Sequence, residues 1–157
     1  MTNLPDIAGA AAEIILGDKT YLMRPLTIDD FAQFERWVDD APIRQAARNL
    51  EGLTSELQMK MLQQAQEAAS LASQDDPDKR QTRITVQMSS MGGISYLVWL
   101  SLRREQPELT LEAVSQMLTL DKLPYIQQRL DEINGLTSPS RQRGSQTKAP
   151  RKRRKNK

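Results

Sequence analysis

The side chains of this sequence best suited to chemistry are its carboxylates, which occur in groups: Asp29-Asp30, Asp39-Asp40, and Asp75-Asp76 followed by Asp78. Two acids can share general acid/base work when their side chains converge. Adjacent residues on a helix diverge, so neither Asp29-Asp30 nor Asp39-Asp40 makes such a pair. The acids at 75–78 offer the oxygen donors a hard cation takes. They lack the glycine and the distal glutamate of a calcium loop. Met91-Gly92-Gly93 has neither the lysine and spacing of a phosphate-binding loop nor a dinucleotide fingerprint. Lys19, Lys60, Lys79 and Lys122 lie in polar stretches, with nothing around them to desolvate an amine and lower its pKa. The chain has no histidine and no cysteine. Imidazole bases, thiol nucleophiles, thiolate zinc sites and disulfides are therefore excluded. The expectation is a protein that is not an enzyme, with no catalytic residue, cofactor or metal.

Charge is the second resource, and it is divided unevenly. Residues 1–136 carry 13 Lys and Arg against 20 Asp and Glu, a net of −7. Residues 137–157 carry nine Lys and Arg and no acid: Arg141, Arg143, Lys148, Arg151, Lys152, Arg153, Arg154, Lys155 and Lys157. With no apolar periodicity, this basic tail is expected to be disordered when free. It suits polyanions, including nucleic acid, and it equally suits an acidic protein or the acidic body of the chain itself. No aromatic residue is interleaved in it to stack on bases.

The elements that must carry any site are mostly helices. Alanine, leucine and glutamine dominate the middle of the chain, and only seven residues are aromatic, so the core must lean on Leu, Ile, Met and Ala. The most apolar run is Gly92 to Thr110. It reads as a buried helix over 93–106, apolar all round, with Arg103 and Arg104 at its C-terminal end and Pro107 stopping it. Before it, residues 1–11 form a small, polar leader. A β-hairpin follows over 12–25, with a turn at Gly17-Asp18-Lys19, in which Ile15, Tyr21 and Met23 rest against helices. Thr27 caps a helix with Asp29 and Asp30 in its first turn and an aromatic stripe of Ile28, Phe31, Phe34, Trp37 and Val38. Pro42 opens a further segment, and Thr54 or Ser55 a long Gln/Ala helix to Ser73. Residues 74–80 read as a linker and 81–91 as a loop or short helix. Thr110 caps another helix, and a last one runs from Pro124 to Ile133 with Gly135 ending it. The fold class is a mainly α, small helical domain (12–136) with an N-terminal hairpin and a basic tail. No stretch approaches the roughly 20 apolar residues of a membrane span, and no signal peptide is evident.

The order of these features resembles the tail assembly chaperones of long-tailed bacteriophages. The hairpin I-I-L-G-D-K-T-Y-L-M-R-P-L-T (14–27), the acidic-capped D-D-F-A-Q-F-E-R-W-V (29–38), the apolar Y-L-V-W-L-S-L-R-R (96–104) and P-E-L-T-L-E-A-V (107–114) carry the likeness. It spans residues 12–120; the Gln/Ala helix and the basic tail are not part of it. The resemblance implies a non-enzymatic protein that binds the tape-measure protein and keeps it soluble while the tail tube assembles. It further implies a place in the cytoplasm of the infected bacterial host, absence from the mature virion, the tail tube protein as a second partner, and self-association. An adaptable apolar groove is what such a role needs. Phe34, Trp37, Met61, Leu97, Trp99, Leu102 and Met117 are the candidates to line it, and each reads as core ahead of contact. Two other classes stay open: a nucleic-acid-associated accessory protein acting through the tail, and a structural connector or scaffold.

Overall fold

A computed structural model describes residues 11–135. The expected leader, except Ala11, and the whole basic tail lie outside the described residues. Strands β1 (Ala12–Leu16) and β2 (Lys19–Met23) form an antiparallel hairpin in register from Ala12↔Met23 to Leu16↔Lys19. Gly17 has φ +62° and Asp18 a negative φ, the sign pattern of a type II′ turn, whose twist suits a two-residue hairpin loop. Lys19, expected in the turn, is thereby paired. Ile14, Leu16 and Met23 are buried, whereas Ile15 is 54% exposed. Ile15 therefore does not rest on the helices. Side chains alternate across a strand, and this register turns Ile14, opposite Tyr21, to the core.

Seven α-helices follow: α1 (Ile28–Asp39), α2 (Ala41–Arg48), α3 (Ser55–Ser73), α4 (Pro77–Met88), α5 (Met91–Leu102), α6 (Leu111–Met117) and α7 (Leu123–Ile133), with a 3₁₀ turn at Leu120–Lys122. The mainly helical class with an N-terminal hairpin is thus the observed one. Thr27 caps α1 in a capping box, its hydroxyl accepting from the Asp30 amide while the Asp30 carboxylate accepts from the Thr27 amide. Ile28, expected in the apolar stripe, is 90% exposed, because it stands well round the helix from Phe34 and Val38.

The linker expected at 74–80 shrinks to Gln74–Asp76, and the ambiguous stretch after it is helix α4. Pro77 opens that helix at a position where its missing N–H is not needed, and Asp76 caps it by accepting from the Asp78 amide at 2.9 Å. Helix α5 starts two residues before the expected 93 and stops at Leu102 rather than 106, so Arg103 and Arg104 leave the helix end and turn toward α1. Its apolar circumference is used on several sides: Ile94, Leu97, Val98, Leu100 and Leu102 are all buried. Ser101 ties it to the hairpin, donating from Oγ to the Arg24 carbonyl at 2.9 Å while the Arg24 amide donates to the Ser101 carbonyl at 3.0 Å. At the start of α5, a Cβ on Gly93 would stand 1.7 Å from the Gln87 carbonyl oxygen, so only glycine lets α4 end there. One apolar core joins Ile14, Leu16 and Met23 to Phe34, Val38, Val98, Val114 and Ile126.

Candidate functional site

Helix α1 carries a buried carboxylate near each end, and each is clamped by two arginines from elsewhere in the chain. Asp30, 1% exposed, accepts from Arg103 at 3.0 Å and Arg104 at 3.1 Å, besides the Thr27 amide at 2.8 Å and hydroxyl at 2.7 Å. Burial alone would raise its pKa, but the Thr27 bonds and the two guanidinium groups together hold it below the ordinary 3.8. Asp39, 6% exposed, accepts from Arg80 at 2.9 Å and Arg83 at 3.1 Å. Its charge sits at the helix C-terminus, where the macrodipole disfavours it, so the α4 arginines are what make it tenable. Arg83 also donates to Asp75 at 2.8 Å and to the Ala72 carbonyl at 2.7 Å, binding the end of α3 to α4. Asp75 and Asp76 are thus engaged as a pairing and a capping group. Among the described residues no cluster of three or more Asp, Glu, His or Cys side chains could hold a metal. These clusters fasten α1 between α4 and the end of α5.

What α1 presents once fastened is a row of aromatic rings shared with α5. Phe34 stacks on Trp37 (centroids 5.7 Å apart), Trp37 on Tyr96 (4.9 Å), and Tyr96 packs tilted against Trp99 (5.4 Å). Phe34 is sealed beneath; Trp37, Tyr96 and Trp99 are half-buried. Arg44 of α2 lies over Trp37, 4.1 Å from the ring centroid, and donates to the Trp37 carbonyl. Arg103 lies 5.2 Å from Trp99, whose indole N–H donates to the Leu109 carbonyl at 2.9 Å and so holds the chain entering α6. Burial lowers the Arg44 pKa, opposed by Asp40 and assisted by Arg48. It raises the Tyr96 pKa above 10.0 against the pull of the nearby arginines.

Beside this row runs an open groove of about 410 Å³, lined by Gln33, Arg36, Trp37, Asp40, Ile43, Arg44 and Tyr96. A second hollow of about 290 Å³ continues it along α3, sharing Arg36, Asp40 and Ile43 and adding Asp39, Gln66, Ala69, Ser70 and Ser73. A more enclosed apolar hollow of about 260 Å³ lies between α1, α4, α5 and α7, with Phe31, Met88, Ile94, Leu97 and Leu130 among its walls.

The structure brings together three of the expected lining residues, Phe34, Trp37 and Trp99, and of these Trp37 alone lines the groove. Phe34, Leu97 and Leu102 are 0%, 4% and 0% exposed; they are core, drawn in because α5 is covered on several sides. Met61 on α3 and Met117 on α6 are half-buried and away from the aromatic row, Met117 accepting from the Tyr21 hydroxyl at 3.5 Å. The nine tail cations lie outside the described residues. Tyr96, Ile43, Arg36 and Arg44 are the lining residues the sequence reading passed over. Tyr96 sits three residues before Trp99 on the same helix, a visible signal. Arg44 meets Trp37 across the break between α1 and α2, where helical periodicity carries no information. No described helix is long and apolar enough to cross a membrane. Comparison with protein-family models, with curated proteins and with solved structures yields no match to this chain.

Proposed function

We propose that this chain is a tail assembly chaperone of the long-tailed phage type, a non-enzymatic protein that binds the tape-measure protein and keeps it soluble during tube assembly. The observation that carries the reading is the uncovered apolar surface of α3. This 19-residue helix buries only Ala65 and Ala69, while Leu57, Met59 and Leu71 are 49%, 69% and 69% exposed. A helix with a narrow alanine seam and exposed Leu and Met on its flanks is an adaptable surface for another amphipathic helix. The sequence motifs at 14–27, 29–38, 96–104 and 107–114 support the same reading by resemblance. Transient binding to the unassembled client places the protein in the host cytoplasm and outside the finished particle.

The test is co-expression of the full chain with a tape-measure protein encoded beside it. The client is expected in the soluble fraction only when the chain is present, and in complex with it. A client equally soluble alone, or a chain recovered as a constituent of purified virions, refutes the reading.

The charge division favours a second reading, a nucleic-acid-associated accessory or structural protein that binds through residues 137–157. Counterion release gives such binding a steep salt dependence. DNA affinity that disappears on deleting 137–157, from a chain that fails to solubilise the client with or without that segment, would select it.

A further inference from the structure

The described residues contain nine arginines, and six of them hold carboxylates: Arg24, Arg80, Arg83, Arg103, Arg104 and Arg129. The three without a salt-bridge partner among the described residues, Arg36, Arg44 and Arg48, all stand on α1 and α2. Arg36 and Arg44 line the aromatic groove, and the charge of Arg48 acts on Arg44. Asp40 is the one acid in the lining of the first hollow; the second adds Asp39, already held by Arg80 and Arg83, so the trough keeps a positive balance on a body whose described residues are otherwise acidic. Arg44 is half-buried and already lies against Trp37, which places an incompletely paired cation beside apolar surface.

We infer that this groove is the docking site for an acidic amphipathic helix of a partner protein, with an apolar side chain seated against Ile43, Trp37 and Tyr96 and carboxylates three or four residues away meeting Arg36 and Arg44. Side chains at that spacing share a helix face, so one turn of a partner can present both. The two hollows meet at Arg36, Asp40 and Ile43, which makes a trough along α3 rather than an isolated pit. Charge complementarity argues against the chain's own tail as occupant, since it would bring nine cations to unpaired arginines. A stacked base is disfavoured by ring occupancy: Trp37 is engaged by Phe34, Tyr96 and Arg44, and a base would have to displace one of them. The inference deepens the chaperone reading, on which it rests for the identity of the client, by naming the surface and the chemistry it selects.

The test uses the full chain and its two tryptophans, Trp37 and Trp99, as reporters. The probes are a tryptophan-free 18-residue Ala/Leu/Glu amphipathic peptide, its Ala/Leu/Lys counterpart and an oligodeoxythymidine. The acidic peptide is expected to change tryptophan emission saturably, with an affinity at least tenfold weaker in Arg36→Glu and in Ile43→Asp; the lysine peptide is expected to leave emission unchanged. Arg36 is exposed, and an acid at residue 43 falls in the first turn of α2, where the macrodipole favours it, so both variants should keep the parent circular dichroism. Acidic-peptide binding that is the same in both variants belongs to the basic tail and overturns the inference. So does equal binding of the lysine peptide, or tighter Arg36-dependent binding of the oligonucleotide. Client solubilisation that survives in Ile43→Asp after peptide binding is lost overturns the groove as client site and leaves the chaperone reading standing. Peptide binding as expected in a chain that never solubilises the client supports the groove and removes the chaperone reading.

Discussion

Gly92 and Gly93 are neighbours in the first turn of α5, and alanine at the two positions should have opposite effects. At Gly93 an added Cβ would lie 1.7 Å from the Gln87 carbonyl oxygen and 2.6 Å from its carbon, both backbone atoms, so the end of α4 would have to move. Forcing such a shift in a packed region costs typically 1–3 kcal/mol, and alanine returns at most about 1 kcal/mol through its better helix propensity. The Gly93 amide also donates to the capping Ser90 hydroxyl at 3.0 Å, and displacement puts that bond at risk. The balance is a net loss of about 1–3 kcal/mol, or on the order of 3–10 °C in melting temperature at this chain length. At Gly92 the new Cβ would meet only the Trp37 ring edge at 3.5 Å, an ordinary contact. Gly92→Ala should therefore be neutral or up to about 1 kcal/mol more stable. Urea unfolding followed by circular dichroism measures both. Gly93→Ala as stable as the parent would refute the close approach of the end of α4 to the start of α5.

Asp30 should make the protein acid-sensitive: its folded pKa is lowered, so its contribution is full above the ordinary 3.8 and is lost as pH falls through the lower folded value. Asp30→Asn should lower stability at pH 7 and flatten the loss below pH 4, read from urea midpoints across pH; an unchanged acid limb would contradict the double-arginine clamp. The hairpin register predicts that Ile14→Ala costs about 2–5 kcal/mol, as for a buried aliphatic side chain, while Ile15→Ala costs under about 1 kcal/mol; the reverse order in thermal unfolding would mean a slipped register. If residues 137–157 bind polyanions, nine cations set a log–log salt slope of up to about −8 on duplex DNA. Fluorescence anisotropy at several salt concentrations tests it, and a flat response would assign the tail to another partner.

Helix positions were legible in the sequence wherever a cap and an apolar stripe coincided. Thr27 and Thr110 marked α1 and α6, and the long run between Gly92 and Pro107 marked α5. Legibility failed where long-range pairing supplied the stabilisation. Helix α4 buries only Ile84 and has low hydropathy, so it read as a linker and then a loop or short helix; what fixes it is the grip of Arg80 and Arg83 on Asp39, more than 40 residues away. For the same reason Arg103 and Arg104 read as cations at a helix end, when their partner is Asp30. The sequence reading turned Ile15 inward; the register pairs Tyr21 with Ile14 and so puts Ile14 in the core instead. At the groove, the sequence offered Trp37 and Trp99 by chemistry, yet could not separate them from Phe34, Leu97 and Leu102, because lining and core draw on the same residue types. Solvent access is a property of the packed chain.

The account turns on whether this protein lends apolar helical surface to an unassembled client. Its most direct measurement is light scattering as a tape-measure polypeptide is diluted from denaturant into buffer with increasing amounts of the purified full chain. Scattering should fall as the chain is added and level off at a fixed molar ratio, and Ile43→Asp should need several-fold more protein to reach the same level. Scattering that is unaffected by an excess of folded chain would contradict the central claim.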